Sequence, residues 1–378
     1  MPNLPKLSLY IHIPWCMKKC PYCDFNSFVS KTQIPEQNYI RHVLNDLSND
    51  ISLASERKID SIFIGGGTPS LFSEKSIQLL LNGVRARIHV SPFAEITIEA
   101  NPGTVEINRF SGYQASGVNR ISIGIQSFNQ KSLRHIGRTY DASDAIRAIM
   151  LANTLGLNSF NLDLMHGLPH QTKKEALRDL QVAITLNVPH ISWYQLTIEP
   201  NTLFSRCRPL LPNEDDLWDI FQKGHQLLHA SGYEQYEISS YARQGHYCTH
   251  NLNYWRFGDY LGIGCGAHGK ITQLNGSIIR TEKTKHPRKF MSGCYLHKLS
   301  EVCDYDKPFE FFMNRFRLLE PIPKNEYRSY TGLLEHSIRV PLDILITKGY
   351  LMETNNFWQT TQKGRLFLNS MLEVFLSK

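Results

Sequence analysis

The sequence predicts an α/β fold in the form of an incomplete β/α barrel. Six strand-like runs recur at a fairly regular interval, at 8–14, 61–67, 95–101, 120–128, 159–169 and 190–200. Between most of them lie segments with helical apolar spacing, at 37–54, 73–87, 141–155 and 173–187. Alternation of strands and helices implies parallel strands joined by right-handed crossovers. About six such units fall short of the eight that close a barrel.

The composition is that of an ordinary globular protein. The chain has 378 residues, of which 42% are hydrophobic and 20% are charged. A chain of this length predicts one large domain plus a smaller one. Lys and Arg total 41 against 34 Asp and Glu, a net charge of +7 that is scattered and by itself argues for no anionic partner.

The chain is expected to be cytoplasmic. No apolar run is long enough for a membrane span, and "MPNLPKLSLYIHIP" lacks the apolar core of a signal peptide. Eight cysteines in a chain of this size do not form a disulfide framework. Five of them lack metal-like spacing and are expected to be small buried residues, namely Cys207, Cys248, Cys265, Cys294 and Cys303.

Three cysteines with the spacing C-x3-C-x2-C follow the first predicted strand. Cys16, Cys20 and Cys23 lie in one short loop, and no fourth cysteine follows nearby. Three thiolates would leave one iron of a 4Fe-4S cube open to a small molecule. A structural zinc site would instead need four closed ligands, usually as two separated pairs. A zinc knuckle, or thiols that are merely neighbours, remain the alternatives.

Glycines and polar residues end several predicted strands, where ligands sit in β/α barrels. Glycine lets the backbone approach a ligand, so the run 65–67 predicts exposed N–H and C=O groups, although an ordinary strand-to-helix turn would look the same. Glu99 at a strand tip predicts a hydroxyl acceptor, a helix cap or a salt bridge. As a set with Gln126, Arg138 and Asp163, Glu99 predicts a polar pocket.

The chain beyond residue 200 departs from the barrel pattern. Residues 213–243 are expected to form a helix and then a strand, with Trp218, Phe221 and Leu227 in the core. The sequence "HNLNYW" then places His250 beside two large aromatic residues. His250 is a candidate axial haem ligand, or a turn histidine packed on aromatic rings.

The C-terminal part, 290–378, predicts a small winged-helix-like domain. Its pattern is helix, strand, Asn-Asn turn, strand and helix. Winged helices often bind DNA through a basic recognition helix. The basic residues here, Lys348, Lys363 and Arg365, are sparse, so nucleic-acid binding is not expected.

The segment "LYIHIPWCMKKCPYCDF" resembles the radical S-adenosylmethionine (SAM) superfamily, and within it the anaerobic coproporphyrinogen III oxidase-like group, nearest to the HemW haem chaperones. The resemblance implies a partial (β/α)6 radical SAM barrel at 1–200, an extension with the HNxxYW motif at 201–289, and the C-terminal domain at 290–378. It implies a 4Fe-4S cluster on the three cysteines and SAM bound beside it. The residues it assigns to SAM are Tyr10, Tyr22, Gly66, Gly67, Thr68, Glu99, Gln126, Arg138 and Asp163, with Thr197 as a weaker candidate.

The resemblance implies a haem chaperone that delivers haem to respiratory acceptor proteins. The alternative is the oxygen-independent coproporphyrinogen III dehydrogenase, whose members carry a further cysteine where this chain has Phe25, and a longer segment before Tyr10. A radical SAM enzyme acting on nucleic acid is a third hypothesis, without a base-stacking stripe to support it. Expected partners are haem, its acceptor, and an electron donor such as flavodoxin or ferredoxin; a homodimer, peripheral membrane contact and SAM cleavage are left open.

Overall fold

A computed structural model describes residues 4–30, 32–104 and 107–376. Its largest element is one twelve-stranded sheet in the order β14-β13-β12-β11-β1-β4-β5-β6-β7-β8-β10-β9. The strands are β1 (Leu7–Ile13), β2 (Trp15–Cys16), β3 (Phe28–Val29), β4 (Ile59–Gly66), β5 (Val90–Ala100), β6 (Arg120–Gln126), β7 (Ser159–His166), β8 (His190–Gln195), β9 (Glu234–Glu237), β10 (Ser240–Ala242), β11 (Asp259–Ile263), β12 (His268–Thr272), β13 (Ile278–Lys283), β14 (Leu296–Glu301), β15 (Ile322–Pro323), β16 (Leu351–Glu353) and β17 (Phe357–Thr360).

Helices connect the strands of the first half and dominate the second half. They are α1 (Glu36–Asp50), α2 (Glu74–Arg85), α3 (Ile107–Ala115), α4 (Gln130–His135), α5 (Ala142–Thr154), α6 (Lys173–Thr185), α7 (Leu203–Arg206), α8 (Glu214–Ala230), α9 (Thr249–Trp255), α10 (Pro287–Phe290), α11 (Lys307–Arg315), α12 (Lys324–Thr331), α13 (Arg339–Thr347), α14 (Gln362–Leu366) and α15 (Leu368–Glu373). Side chains fix several of their starts: Asp141 and Thr172 each form a capping box, with Asp144 and Glu175 respectively.

The six predicted barrel strands are confirmed. They are β1, β4, β5, β6, β7 and β8, and they pair in parallel in chain order. Nearly every residue of these strands is buried, as in β6 and β7, because helices cover one face and the barrel interior the other. The predicted α/β fold class is therefore confirmed. Strand β11 adds in parallel to the other side of β1.

The C-terminal helices form a core of their own. Phe311, Phe312, Leu342 and Trp358 are fully buried there. The hairpin β16–β17 follows α13, and α14 and α15 follow the hairpin. This order matches the predicted winged-helix pattern, while the predicted domain boundaries remain a prediction. Among the described residues no helix is long and apolar enough to cross a membrane.

Two groups of predicted core residues are placed differently. Trp218 is 44% exposed, because α8 turns Ile220, Gly224 and Leu228 inward instead; Phe221 and Leu227 are half-buried. Of the five remaining cysteines, Cys248 and Cys265 are buried as expected. The prediction was wrong for three that lie on exposed segments, namely Cys207, Cys294 and Cys303.

Candidate cofactor site at the carboxyl ends of the barrel strands

The three cysteines of the C-x3-C-x2-C loop lie on the wall of a large cavity. Cys16 ends β2 and is buried, whereas Cys20 and Cys23 are half-buried. The N–H of Cys23 donates to the carbonyl of Cys20 at 3.2 Å, which closes the turn between them. The cavity has a volume of 580 Å³, within the range of small-molecule sites, about 300–1,000 Å³.

Burial and mutual proximity shape the chemistry of these thiols. The pKa of Cys23 is raised mainly by burial, with contributions from the neighbouring Cys20 and Cys16 thiols. Burial likewise raises the pKa of Cys16. Metal binding would therefore displace protons from both. Among the described residues, no three His, Cys, Asp or Glu side chains are arranged around the position of a single metal ion. Three thiolates without a fourth protein ligand leave a structural zinc site incomplete, whereas the same donor set suits an iron–sulfur cube that keeps one iron open.

The glycine run joins the end of β4 to the cysteine loop. A Cβ on Gly67 would lie 2.5 Å from the carbonyl oxygen of Trp15, so only glycine allows this approach. The N–H of Gly67 donates to Ile13 O at 2.8 Å, and that of Thr68 to Trp15 O at 2.7 Å. The Gly66 N–H donates to Glu99 Oε2 at 3.1 Å. The expectation that these N–H groups are exposed to a ligand is therefore wrong, because the protein uses them to hold the loop.

Glu99 lies at the end of β5 and faces the cavity. Burial, and then the nearby Asp163 carboxylate, raise the pKa of Glu99 to about 8, although the Gly66 N–H opposes the shift. The carboxyl is therefore largely protonated at neutral pH, so it can donate as well as accept a hydrogen bond. Burial also raises the pKa of Asp163, whose oxygens accept from Ser122 at 3.2 Å and Asn161 at 2.8 Å.

Arg138 and Gln126 are held in place by tyrosines. Arg138 donates to the hydroxyl of Tyr22, inside the cysteine loop, at 2.9 Å. The guanidinium also lies 5.8 Å from the ring of Tyr140. Gln126 Oε1 accepts from the hydroxyl of Tyr194 at 2.8 Å. Because Arg138 is tied to Tyr22, the cysteine loop and the wall of the cavity form one connected unit.

The structure brings nearly all of the predicted site residues to this cavity. Its lining includes Cys16, Cys20, Tyr22, Cys23, Gly66, Gly67, Thr68, Glu99, Gln126, Arg138, Asp163 and Thr197. Tyr10 lies apart from that lining, on a second cavity below it, where its hydroxyl bonds to His12 Nδ1 at 3.1 Å. Sequence reasoning missed Ser122 and Tyr194. Both lie on the inward face of their strands, two residues from another polar or aromatic residue, so period-two alternation could have found them.

His250 lies in the barrel interior rather than at the cysteine loop. It is 1% exposed, and burial, followed by the nearby Arg120, lowers its pKa to about 3. Its Nδ1 lies 2.9 Å from Ser61 Oγ, while its Nε2 has no hydrogen-bond partner among the described residues. The rings of Phe63 and Tyr254 flank it at 5.1 and 4.8 Å. The expected aromatic packing of this histidine is therefore present.

The second cavity separates His250 from the cofactor cavity. It has a volume of 330 Å³ and shares Glu99, Ser122 and Asp163 with the larger one. Its floor is α9, which carries the HNLNYW sequence. Glu95, on β5, accepts from the backbone N–H groups of Thr249 and His250 at 3.0 and 2.9 Å. One carboxylate thus fixes the start of the motif helix.

Known proteins match this chain along its whole length. The family model for the radical SAM superfamily matches residues 10–183, and that for the HemN C-terminal domain matches 305–367. The chain is 61% identical over 378 residues to "Heme chaperone HemW" of Escherichia coli (strain K12), and 58% identical over 382 residues to the protein of that name from Haemophilus influenzae. Each match covers 100% of both chains. A mitochondrial protein of Bos taurus, "Radical S-adenosyl methionine domain-containing protein 1", is 38% identical over 78% of this chain and 68% of its own.

A solved structure shares the fold. It is described as "Coproporphyrinogen III oxidase (HemN) from Escherichia coli is a Radical SAM enzyme", with a TM-score of 0.84 and 24% identity over 98% of this chain and 90% of that chain. At this identity the match shows the fold alone. The full-length identity to two bacterial proteins of one name, and the two family models, decide the assignment: the chain belongs to the HemW family of the radical SAM superfamily.

Proposed function

We propose that this chain is a haem chaperone on a radical SAM scaffold, which binds haem and delivers it to respiratory acceptor proteins. The observation that carries the proposal is the 61% identity, over both full chains, to a protein named heme chaperone. The intact HNLNYW sequence on α9 agrees with it. The same proposal includes a cytoplasmic location, a haem-acceptor protein as partner, a homodimer, and peripheral contact with a membrane.

Cys16, Cys20 and Cys23 are proposed to hold a 4Fe-4S cluster. When bound, a cluster with three thiolate ligands offers one open iron to the amino and carboxylate groups of SAM. The half-buried Cys20 and Cys23 face the cavity that would take SAM. The raised pKa values of Cys16 and Cys23 mean that assembly removes protons from these thiols.

The cavity wall is proposed to orient SAM. Glu99, with its raised pKa, can exchange hydrogen bonds with a ribose hydroxyl. Arg138, held by Tyr22, presents a fixed cation toward the cavity. Tyr22 supplies an aromatic ring that can pack near adenine. Gln126, Asp163, Gly66, Gly67 and Thr68 complete the lining, and Tyr10 borders the second cavity together with Glu99.

The second candidate function is oxygen-independent coproporphyrinogen III oxidase. The observation that favours it is the match of residues 305–367 to the family model of the HemN C-terminal domain, alongside the fold shared with an enzyme of that name. Against it stands Phe25, in the place where the sequence of that enzyme group carries a further cysteine. Phe25 is 59% exposed beside the cysteine loop, so a side chain at this position reaches the edge of the site.

One experiment separates the two functions. The protein is reconstituted anaerobically with iron and sulfide, and is then tested in parallel for haem binding and for coproporphyrinogen III turnover. We expect stable haem uptake without turnover. Turnover without stable haem uptake would overturn the chaperone assignment in favour of the enzyme.

The role of His250 is tested separately. Direct ligation of haem iron by Nε2 requires the macrocycle to enter a 330 Å³ cavity, or α9 to move. The test compares the Soret band and haem affinity of wild type with those of His250→Ala and of His268→Ala, an exposed histidine. A selective change in His250→Ala supports ligation, and an unchanged spectrum and affinity reject it.

A further inference from the structure

The outer rim of the cysteine loop exposes large apolar side chains next to lysines. Met17 is 70% exposed and Phe25 is 59% exposed, and both line the mouth of the cofactor cavity. Lys18 and Lys19 stand between the first two cysteines. Lys19 Nζ donates to the carbonyl of Phe25 at 3.1 Å, which ties the two sides of the rim together.

A second basic segment is attached to the same rim. Asn26 Nδ2 donates to the carbonyl of Lys285 at 3.0 Å, and the ring of Phe28 packs edge-on against His286 at 5.6 Å. The segment 285–289 exposes Lys285, Arg288 and Lys289. We call residues 17–19, 24–25 and 285–289 together the loop face.

The loop face concentrates positive charge. It carries five cations (Lys18, Lys19, Lys285, Arg288 and Lys289) against one carboxylate (Asp24), a balance of 5 − 1 = +4, where the whole chain has +7. Within the described part of the chain, none of these five cations takes part in a salt bridge with a carboxylate. Cations of this kind leave a field that attracts a negatively charged partner.

We propose that the loop face docks a small acidic one-electron carrier protein, an inference that rests on the proposed cluster. Exposed Met and aromatic residues are enriched in protein interfaces, and a basic rim steers an acidic partner into register. The half-buried Cys20 and Cys23 lie directly behind the rim, so a docked carrier would approach the cluster closely. The reduced flavin or iron–sulfur centre of the carrier gives up one electron, and the cluster accepts it.

An anionic membrane is the other surface that could attract this charge. The helix of the loop face, α10, has only four residues, and its apolar members Pro287 and Phe290 are buried. It therefore presents no amphipathic face for insertion between lipid headgroups. The exposed carboxylate of Asp24 would also repel anionic lipid. These observations favour a folded acidic protein, whose surface can present donors to Asp24 as well as carboxylates to the lysines.

The test is a charge reversal, Lys285→Glu, Arg288→Glu and Lys289→Glu combined, in the anaerobically reconstituted full chain. These residues are exposed, so the fold should persist, and thermal unfolding checks it. Reduction of the cluster is followed as loss of its absorption, once with reduced flavodoxin and once with dithionite. We expect reduction by flavodoxin at low salt to slow by about tenfold or more, while reduction by dithionite is unchanged. Calorimetry measures flavodoxin association independently of the cluster.

A matched control carries the same change of charge outside the loop face: Arg328→Glu, Lys348→Glu and Lys363→Glu, three exposed residues of the C-terminal part of the chain. The cluster of the control variant should be reduced by flavodoxin at the wild-type rate, and the variant should bind flavodoxin with wild-type affinity. Equal flavodoxin rates and affinities for wild type and the loop-face variant would overturn the proposal. If the loop-face variant loses binding to anionic vesicles while its reduction by flavodoxin is unchanged, the proposal is overturned and the loop face contacts a membrane instead. A chain that takes up no cluster refutes the proposed function instead, and calorimetry still decides whether the face binds the carrier.

Discussion

Replacing Gly67 by alanine should displace the cysteine loop. The added Cβ would lie 2.5 Å from the Trp15 carbonyl oxygen and 2.9 Å from Pro14 C. Ordinary contact begins at 3.4 Å, so β2 must retreat by 3.4 − 2.5 = 0.9 Å. Backbone cannot rotate away as a flexible side chain could. The strain therefore falls on the segment that ends at Cys16.

The cost follows from the hydrogen bonds that hold this segment. A retreat of that size weakens Gly67 N–H to Ile13 O and Thr68 N–H to Trp15 O, now 2.8 and 2.7 Å, each worth about 1 kcal/mol. Overpacking of a tight contact typically costs about 1–3 kcal/mol. We expect Gly67→Ala to lower the free energy of unfolding by about 2–3 kcal/mol and to reduce iron and sulfide uptake on reconstitution.

Urea unfolding of the metal-free chain and iron and sulfide content after anaerobic reconstitution are the two assays. Gly156→Ala is the control, since a Cβ there meets nothing within 4 Å and only its φ of +60° is unfavourable. It should cost about 1–2 kcal/mol and leave iron uptake intact. If Gly67→Ala unfolds like wild type and binds a full complement of iron, the argument that this glycine sets the position of the loop is refuted.

Three further predictions test the site and the core. Serine at Cys16, Cys20 and Cys23 together should abolish iron–sulfur absorption after reconstitution, whereas Cys207→Ser, on an exposed segment, should leave it unchanged; absorption surviving the triple change would place the metal elsewhere. Glu99 has a pKa of about 8 against an ordinary 4.5, so the unfolded chain binds fewer protons in that window and stability should fall as pH rises from 4.5 to 8. Glu99→Gln should flatten this slope in urea unfolding, and an equal slope in both proteins would contradict the assignment. Lys283→Met should lower the free energy of unfolding by about 3–5 kcal/mol, because it leaves the buried carboxylates of Asp46 and Asp50, which Lys283 contacts at 2.6 and 2.7 Å, without their cation. Lys298→Met removes an exposed pair with Glu282 and should lower it by less than about 1 kcal/mol. Equal losses in the two variants would show that burial does not govern the strength of these pairs.

The barrel strands could be predicted because their physical signal is local. Runs such as 120–126 combine an apolar face, Ile121, Ile123 and Ile125, with burial along nearly the whole strand, and Asp141 and Thr172 begin helices with a capping box that the sequence displays. The polar residues at strand ends could also be predicted as a set, since parallel strands bring their carboxyl ends together. Glu99, Gln126 and Asp163 meet at one cavity for this reason.

Partners across the fold could not be predicted in the same way. The sequence does not reveal that the N–H groups of Gly67 and Thr68 bond to the loop rather than to a ligand, because their acceptors lie about fifty residues away. The apolar periodicity of α8 likewise predicts that one side of the helix is buried, but it does not show where the buried side ends. Trp218 was therefore expected in the core, whereas the structure exposes it to solvent. Tyr10 was assigned to the SAM pocket by resemblance, while the structure places it on the cavity beneath.

Strand β5 runs from the start of α9 to the wall of the larger cavity. Glu95 holds the first turn of the motif helix, and Glu99, four residues later on the same side, borders the cofactor cavity. At about 3.3 Å a residue, the strand spaces these two carboxylates by roughly 13 Å. The backbone of one strand therefore sets the separation between the start of α9 and the wall of the larger cavity, so a change that shifts β5 at one of these places is expected to be felt at the other.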